Sequence, residues 1–176
     1  MFVRLLIVVA LTAGTCGAAH AQQPYSGLEK RSVKALSEQQ ISDLRAGRGM
    51  GMALPAELNG YPGPSHVIEL ADKLTLTDAQ LARATTLFAF MKAEAVPLGE
   101  RLIFQQGELE RHFADRTITP ALLTAATVEI GATQAALAET HLKYHLSTAE
   151  LLTPSQRQRY SELRGYEGGA PQHHRH

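Results

Sequence analysis

Cysteine is nearly missing from this chain: Cys16 is the only one in 176 residues, and Trp is absent altogether. With so few thiols a disulfide framework and a Cys nucleophile are both excluded downstream of Cys16, so packing alone has to hold the fold. Aromatic residues make up only 6% of the chain, which favours an elongated helical bundle over a dense globule. Charge of one sign is lacking too, with 17 basic against 17 acidic residues, so there is no basic excess to recommend nucleic acid as a partner. Catalytic signatures are equally scarce. There is no G-x-S-x-G and no H-E-x-x-H, and His141-x-x-x-His145 lacks the glutamate a zinc protease uses as its base. The run Gly47-Arg48-Gly49-Met50-Gly51-Met52 lacks the G-x-x-x-x-G-K-[ST] of a phosphate loop, and no strand pattern precedes it. It reads as a loop that folds a short helix back, and the chain reads as a non-enzyme.

What is present begins with a targeting segment. Arg4, the apolar run Leu5 to Ala13 and the A-x-A site Ala19-His20-Ala21 have the form of a cleaved secretory signal peptide over 1–21. The apolar run is about half the ~20 residues a spanning helix needs. Acylation at Cys16 is the lesser option, because Ala13-Gly14-Thr15 is a poor small-residue box. Export to the periplasm follows as the expected localisation. Removing Arg4 with the leader leaves one more acid than base.

The remainder divides into 22–64, with a short helix and a Gly/Met/Pro-rich loop, a helical domain over 65–164, and a His-rich tail over 165–176 expected to be disordered. A first helix starts near Leu28 or after Ser37, where Ser37 and Gln40 form a capping box; it buries Leu36, Ile41 and Leu44 and stops at Gly47. A short helix follows over Ala53 to Leu58. Ser65 is expected to cap another over His66 to Lys73, with Val67, Leu70 and Leu74 on one side.

The long helix starts at Thr77. Its seam runs through Leu81, Ala84, Phe88, Met91, Ala95, Leu98, Leu102, Gln105, Leu109 and His112, in the three-four alternation of a helix that pairs with another. Pro97 and Gly99 should bend this helix without ending it, because the seam continues in phase. The chain breaks at Asp115 to Thr119, and Thr119-Pro120 opens a return helix whose seam is Leu123, Ala126, Ile130, Thr133, Leu137, Thr140, Tyr144 and Leu151. A last short helix reaches about Arg164. The pattern predicts an all-α fold: a long, bent antiparallel hairpin with short helices at either end.

One device occurs twice, at Leu76-Thr77-Asp78-Ala79-Gln80 and at Leu152-Thr153-Pro154-Ser155-Gln156. In each copy the Thr side chain caps the N3 backbone N–H while Gln reaches back to the cap N–H.

Metal binding is the competing functional idea. His141 and His145 are four apart, so their rings project from one helix face. Folding the hairpin about Ile118 sets residue 94 and its neighbours opposite His141, so Glu94 is a candidate oxygen ligand and Met91 a soft one. His66, with Glu69 three residues on, can reach the same end. The bland reading is that the two histidines are satisfied by carboxylates such as Glu94 or Glu139. The tail histidines His173, His174 and His176, and Met50 with Met52, are weaker candidates, the methionines suiting copper(I).

A leader, an all-helical pattern and a hairpin bracketed by two L-T-x-x-Q copies resemble the Spy/CpxP family of periplasmic proteins, over roughly Ser65 to Leu163. The resemblance implies a thin, curved, often dimeric cradle. Its members are ATP-independent chaperones, envelope-stress regulators or metal-responsive sensors. It therefore implies unfolded periplasmic proteins as partners, a membrane sensor protein as another, and a homodimer. On the chaperone branch no cofactor is required. Leu87, Phe90 and Val96, off the seam, are then the expected client contacts, with Lys92, Arg101 and Arg111 attracting the unfolded chain first; the alternative is that Leu87 and Phe90 pack under the helices of the first section. On the sensor branch the ion is zinc, nickel or cobalt, or copper. The metal-sensing relatives use histidines before the first L-T-x-x-Q and on the return helix, the regions in which His66, His141 and His145 fall.

Overall fold

Thr77 and Thr153 each receive the N3 backbone N–H, from Gln80 and Gln156 respectively, at 3.2 Å, and each Gln Oε1 accepts from its own cap N–H at 3.1 and 3.0 Å. Both helix starts are thereby fixed as the sequence indicates. The structure, a computed structural model, describes residues 25–166, and every regular element among them is a helix. The leader, Cys16 and the tail histidines lie outside the described residues. After a single 3-10 turn at Leu28–Lys30 come α1 (Glu38–Arg45), α2 (Leu54–Glu57), α3 (Pro64–Glu69), α4 (Asp78–Ala114), α5 (Pro120–Leu151) and α6 (Pro154–Arg164).

α4 and α5 form the hairpin, turning at Arg116, whose φ is +55°. His112 Nδ1 and Thr117 Oγ1 meet across the turn at 3.0 Å. At the other, open end the two glutamines do more than cap. Gln80 Nε2 donates to Gln156 Oε1 at 2.9 Å and Gln156 Nε2 donates to Gln80 Oε1 at 3.1 Å. Their remaining N–H groups reach Leu151 O at 3.0 Å and Leu74 O at 3.3 Å, each the backbone leading into the other motif. Each amide thus spends both donors, and each oxygen accepts two bonds. Arg157 Nη1 takes the carbonyls of Ala149 and Leu152, both at 2.8 Å, so the end of α5 is satisfied as well.

The short helices cover one side of the hairpin. Near the open end Val67, Leu74, Ala84, Leu152 and Tyr160 form one core cluster. Leu87, Met91 and Tyr144 form a second. Farther along, Val33, Leu36, Ile41 and Leu44 pack on Ala95, Leu102, Ile130 and Leu137. The stretch before α3 is therefore part of the hairpin's second layer and shares its core.

Several expectations need correction. Gly63, not Ser65, is the N-cap of α3, because Pro64 takes the first helical position; the Ser65 hydroxyl bonds Glu69 instead at 3.2 Å. α3 ends at Glu69 rather than Lys73, and the chain turns through Thr75 at φ +49°. Leu81 is exposed and Leu87 takes its place inside, because the short helices approach α4 from that flank. Leu123 is likewise exposed. As expected, α4 runs through Pro97 unbroken, with Pro97 exposed. Gly99 has a separate duty: a Cβ there would sit 2.5 Å from the Leu44 carbonyl oxygen, so only glycine lets α1 approach this closely.

Gln80→Ala or Gln156→Ala should each cost about 2 kcal/mol, since either strands the partner amide and uncaps a helix. The double substitution should cost less than the sum of the two, by ~0.5 kcal/mol or more, because the second glutamine is already unpaired in either single variant. Urea unfolding of the four proteins measures this.

Candidate functional site

The glycine-rich loop after α1 lies over the middle of the hairpin. Gly47 and Gly51 hold φ of +65° and +83°, conformations that favour glycine, and between them Met50 adopts +43° at a cost of roughly 1 kcal/mol. Beneath this loop, and beside the start of α3, is a cavity of about 460 Å³. α4 contributes Phe88, Met91 and Lys92 to its lining, and α5 contributes His141 and His145, one turn apart. His66 and Glu57 line it from the short-helix side.

The loop is fitted to these rings. A Cβ at Gly63 would come within 2.8 Å of His145 Nε2, and one at Gly49 within 3.3 Å of His141 Nδ1. His145 Nδ1 lies 2.7 Å from Tyr61 O, so it carries the proton and donates to that carbonyl. His141 is different. Only 3% of it is exposed, and its Nε2 is buried with no hydrogen-bond partner. Burial, and then the neighbouring His145, hold its pKa below the usual imidazole value, so the ring is neutral at pH 7.

Glu57 is the buried carboxylate of the lining, and most of its capacity is used within the protein. It accepts from the Tyr160 hydroxyl, from the Tyr166 hydroxyl at 3.1 Å and from Gly63 N at 3.2 Å, with Arg164 Nε at 3.6 Å and His145 Nδ1 at 3.7 Å. Burial and this bond push the Tyr160 hydroxyl's pKa well above its ordinary value. The network locks α2 to α6, and no residue pattern announces it: a lone Glu in a four-residue helix has no periodicity to reveal it.

The fold-back register about Ile118 holds, since Glu94 meets residues 143 and 144. Its carboxylate, however, is taken by Lys143 and by the Tyr144 hydroxyl at 2.7 Å, and Glu94 does not line the cavity. Lys143, then Tyr144, hold Glu94 below the usual carboxylate range, while burial and Glu94 push Tyr144 up to about 12. The candidate ligand set is therefore corrected: His66, His141, His145 and Met91 share one cavity, and Glu94 stands apart. His66 Nδ1 is 3.0 Å from Glu69 Oε2. Among the described residues, no three of His, Cys, Asp and Glu are grouped closely enough to hold a metal ion.

The expected client contacts also divide. Leu87 is 5% exposed and belongs to the core, so it is removed from the contact surface. Val96 is half-buried against Gly47. Phe90, Lys92 and Arg101 are exposed, Lys92 lying 5.8 Å from the centre of the Phe88 ring. More apolar surface lies toward the turn of the hairpin. Phe104, Phe113, Leu122, Leu123 and Val128 are all exposed there, Phe104 at 67% and Val128 at 65%. Phe104, Leu109, Leu122 and Ala126 line a groove of about 270 Å³ between the two helices. α5 is long and apolar enough to cross a membrane, yet only 17% of its most apolar window is buried within the protein.

Compared with family models, with curated proteins and with solved structures, the chain matches none.

Because the folded state keeps His141 unprotonated, its contribution to stability is complete above the unfolded value of 6.5 and is lost as pH falls below that through the folded value. The urea midpoint should therefore drop between about pH 7.5 and about pH 5.5, and drop less in His141→Gln.

Proposed function

We propose that this protein is an exported, non-enzymatic chaperone that binds apolar segments of unfolded periplasmic proteins without ATP, in the manner of the Spy/CpxP family it resembles. The observation that carries the reading is the uncovered distal half of the hairpin. An exposed apolar groove between two helices often marks an interaction site. Here Phe104 and Leu122 line such a groove, beside Glu108 and Glu129. Such a surface suits weak, sequence-tolerant contact with extended chains, and Arg101 adds attraction for acidic segments. A second copy of the chain covering part of the strip would make the functional unit a homodimer. Nucleic acid is not a partner in this reading, since the overall charge is balanced. A membrane sensor protein docking on the same surface would couple client load to signalling.

The metal-responsive alternative draws on His66, His141 and His145 lining one cavity, and it has lost Glu94 as an oxygen donor. The two readings separate in a single assay. Suppression of client aggregation should survive a chelator and survive His141→Gln with His145→Gln. Phe104→Ser with Leu122→Ser should lower suppression severalfold while leaving the unfolding midpoint within ~0.5 kcal/mol, because both side chains are exposed. Leu87→Ala should behave oppositely, costing about 2 to 4 kcal/mol of stability through the cavity it leaves. Loss of suppression on chelation, with no effect of the surface substitutions, would move the reading to the sensor branch.

A further inference from the structure

We propose that the cavity beneath the Gly47–Gly51 loop is a binding site for a small aromatic carboxylate, separate from the client surface at the hairpin tip. Its volume, about 460 Å³, lies in the range of small-molecule sites. Phe88 and Met91 give it an apolar wall suited to a flat ring, which packs well against both aromatic and thioether groups.

The charge inventory selects the sign of the ligand. Arg48, His66, Lys92, His141 and His145 line the cavity, against one carboxylate, Glu57. Glu57 already accepts from two tyrosine hydroxyls and a backbone N–H, and its Oε2 lies 3.7 Å from His145 Nδ1, so its charge is directed at groups of the protein itself. Arg48 is paired with Asp43 at 2.6 Å and His66 with Glu69. Lys92 is the uncommitted cation: exposed, held over the Phe88 ring and in no ion pair among the described residues. An anionic group settles against Lys92, and the ring beside it lies along Phe88 and Met91.

His141 supplies the polar selection. A neutral imidazole has one donor and one acceptor, and this ring, almost fully buried, has no hydrogen bond contributing to its environment. The ring's Nε2 is enclosed, so a ligand hydroxyl in the cavity meets the imidazole at Nδ1, the nitrogen on the Gly49 side, which makes no hydrogen bond among the described residues. A divalent ion here would need His66, His141 and His145 to converge, and among the described residues no three of His, Cys, Asp and Glu are grouped closely enough to hold one.

Titration calorimetry on the purified protein tests the site, with 4-hydroxybenzoate as probe, 4-hydroxybenzamide as its neutral counterpart, unsubstituted benzoate, decanoate as an aliphatic acid and Zn²⁺ alone. Saturable binding of 4-hydroxybenzoate is expected, with the amide at least tenfold weaker. Lys92→Gln, an exposed substitution that leaves the fold intact, should bring the acid down to the amide's level. His141→Leu should remove the preference for 4-hydroxybenzoate over benzoate. Should that variant not fold, the His141 ring resonances of the unmodified protein must shift on titration. Absence of saturable binding by the aromatic acids, equal binding of acid and amide, indifference to Lys92→Gln, preference for decanoate, or a response to Zn²⁺ alone would each overturn the proposal.

Discussion

Two glutamine side chains close the open end of the hairpin, and the rest of the molecule depends on that closure. Gln80 and Gln156 exchange hydrogen bonds with each other while each caps its own helix and each holds the backbone entering the other's motif. A helix start and an interhelix tie are made by the same atoms, so neither can be lost without the other. This sets the register of α4 against α5. Register then decides that Glu94 meets Lys143 and Tyr144, and that His141 and His145 turn toward the glycine loop.

From this closed end the packing thins with distance. The three short helices and the N-terminal segment form a second layer that reaches Ile130 on α5 and, through the bond of Lys34 N to Glu110 at 2.7 Å, Glu110 on α4. Beyond that point only two helices remain, and two helices cannot bury all of their own apolar side chains. Phe113 and Leu122 are exposed for that reason; Phe104 is exposed at a level the layer still covers, on a flank it does not reach. The functional division follows the same geometry: a well-packed base with an open cavity, and an uncovered tip that offers area to an extended chain.

Much of the architecture was legible in the residues. The capping boxes at Ser37, Thr77 and Thr153, the break at Asp115 to Thr119 and the seam from Ala84 to Leu102 are local signals, and local signals survive folding. The bridge between Gln80 and Gln156 was not legible, because it joins residues far apart in sequence through side chains whose caps already explain their presence. The buried Glu57 network and the fit of Gly63 against His145 were hidden likewise: each depends on where a loop lies over a distant helix. The exposed strip was misplaced toward Leu87 because periodicity gives the buried face of a helix but not how far a covering layer extends. Glu94 was placed at the right level of the hairpin and on the wrong side, the error that arises when register is known and rotation is not.

Hydrogen exchange resolved along the chain, measured with and without a permanently unfolded polypeptide, tests the central claim most directly. In the free protein, amides around Gln80 to Met91 and Tyr144 to Tyr160 should exchange only through global opening, and those from Phe104 to Val128 much faster through local opening. Adding the unfolded polypeptide should slow exchange in the second group alone. Uniform protection in the free protein, or protection gained around the cavity and none at the tip, would contradict the account.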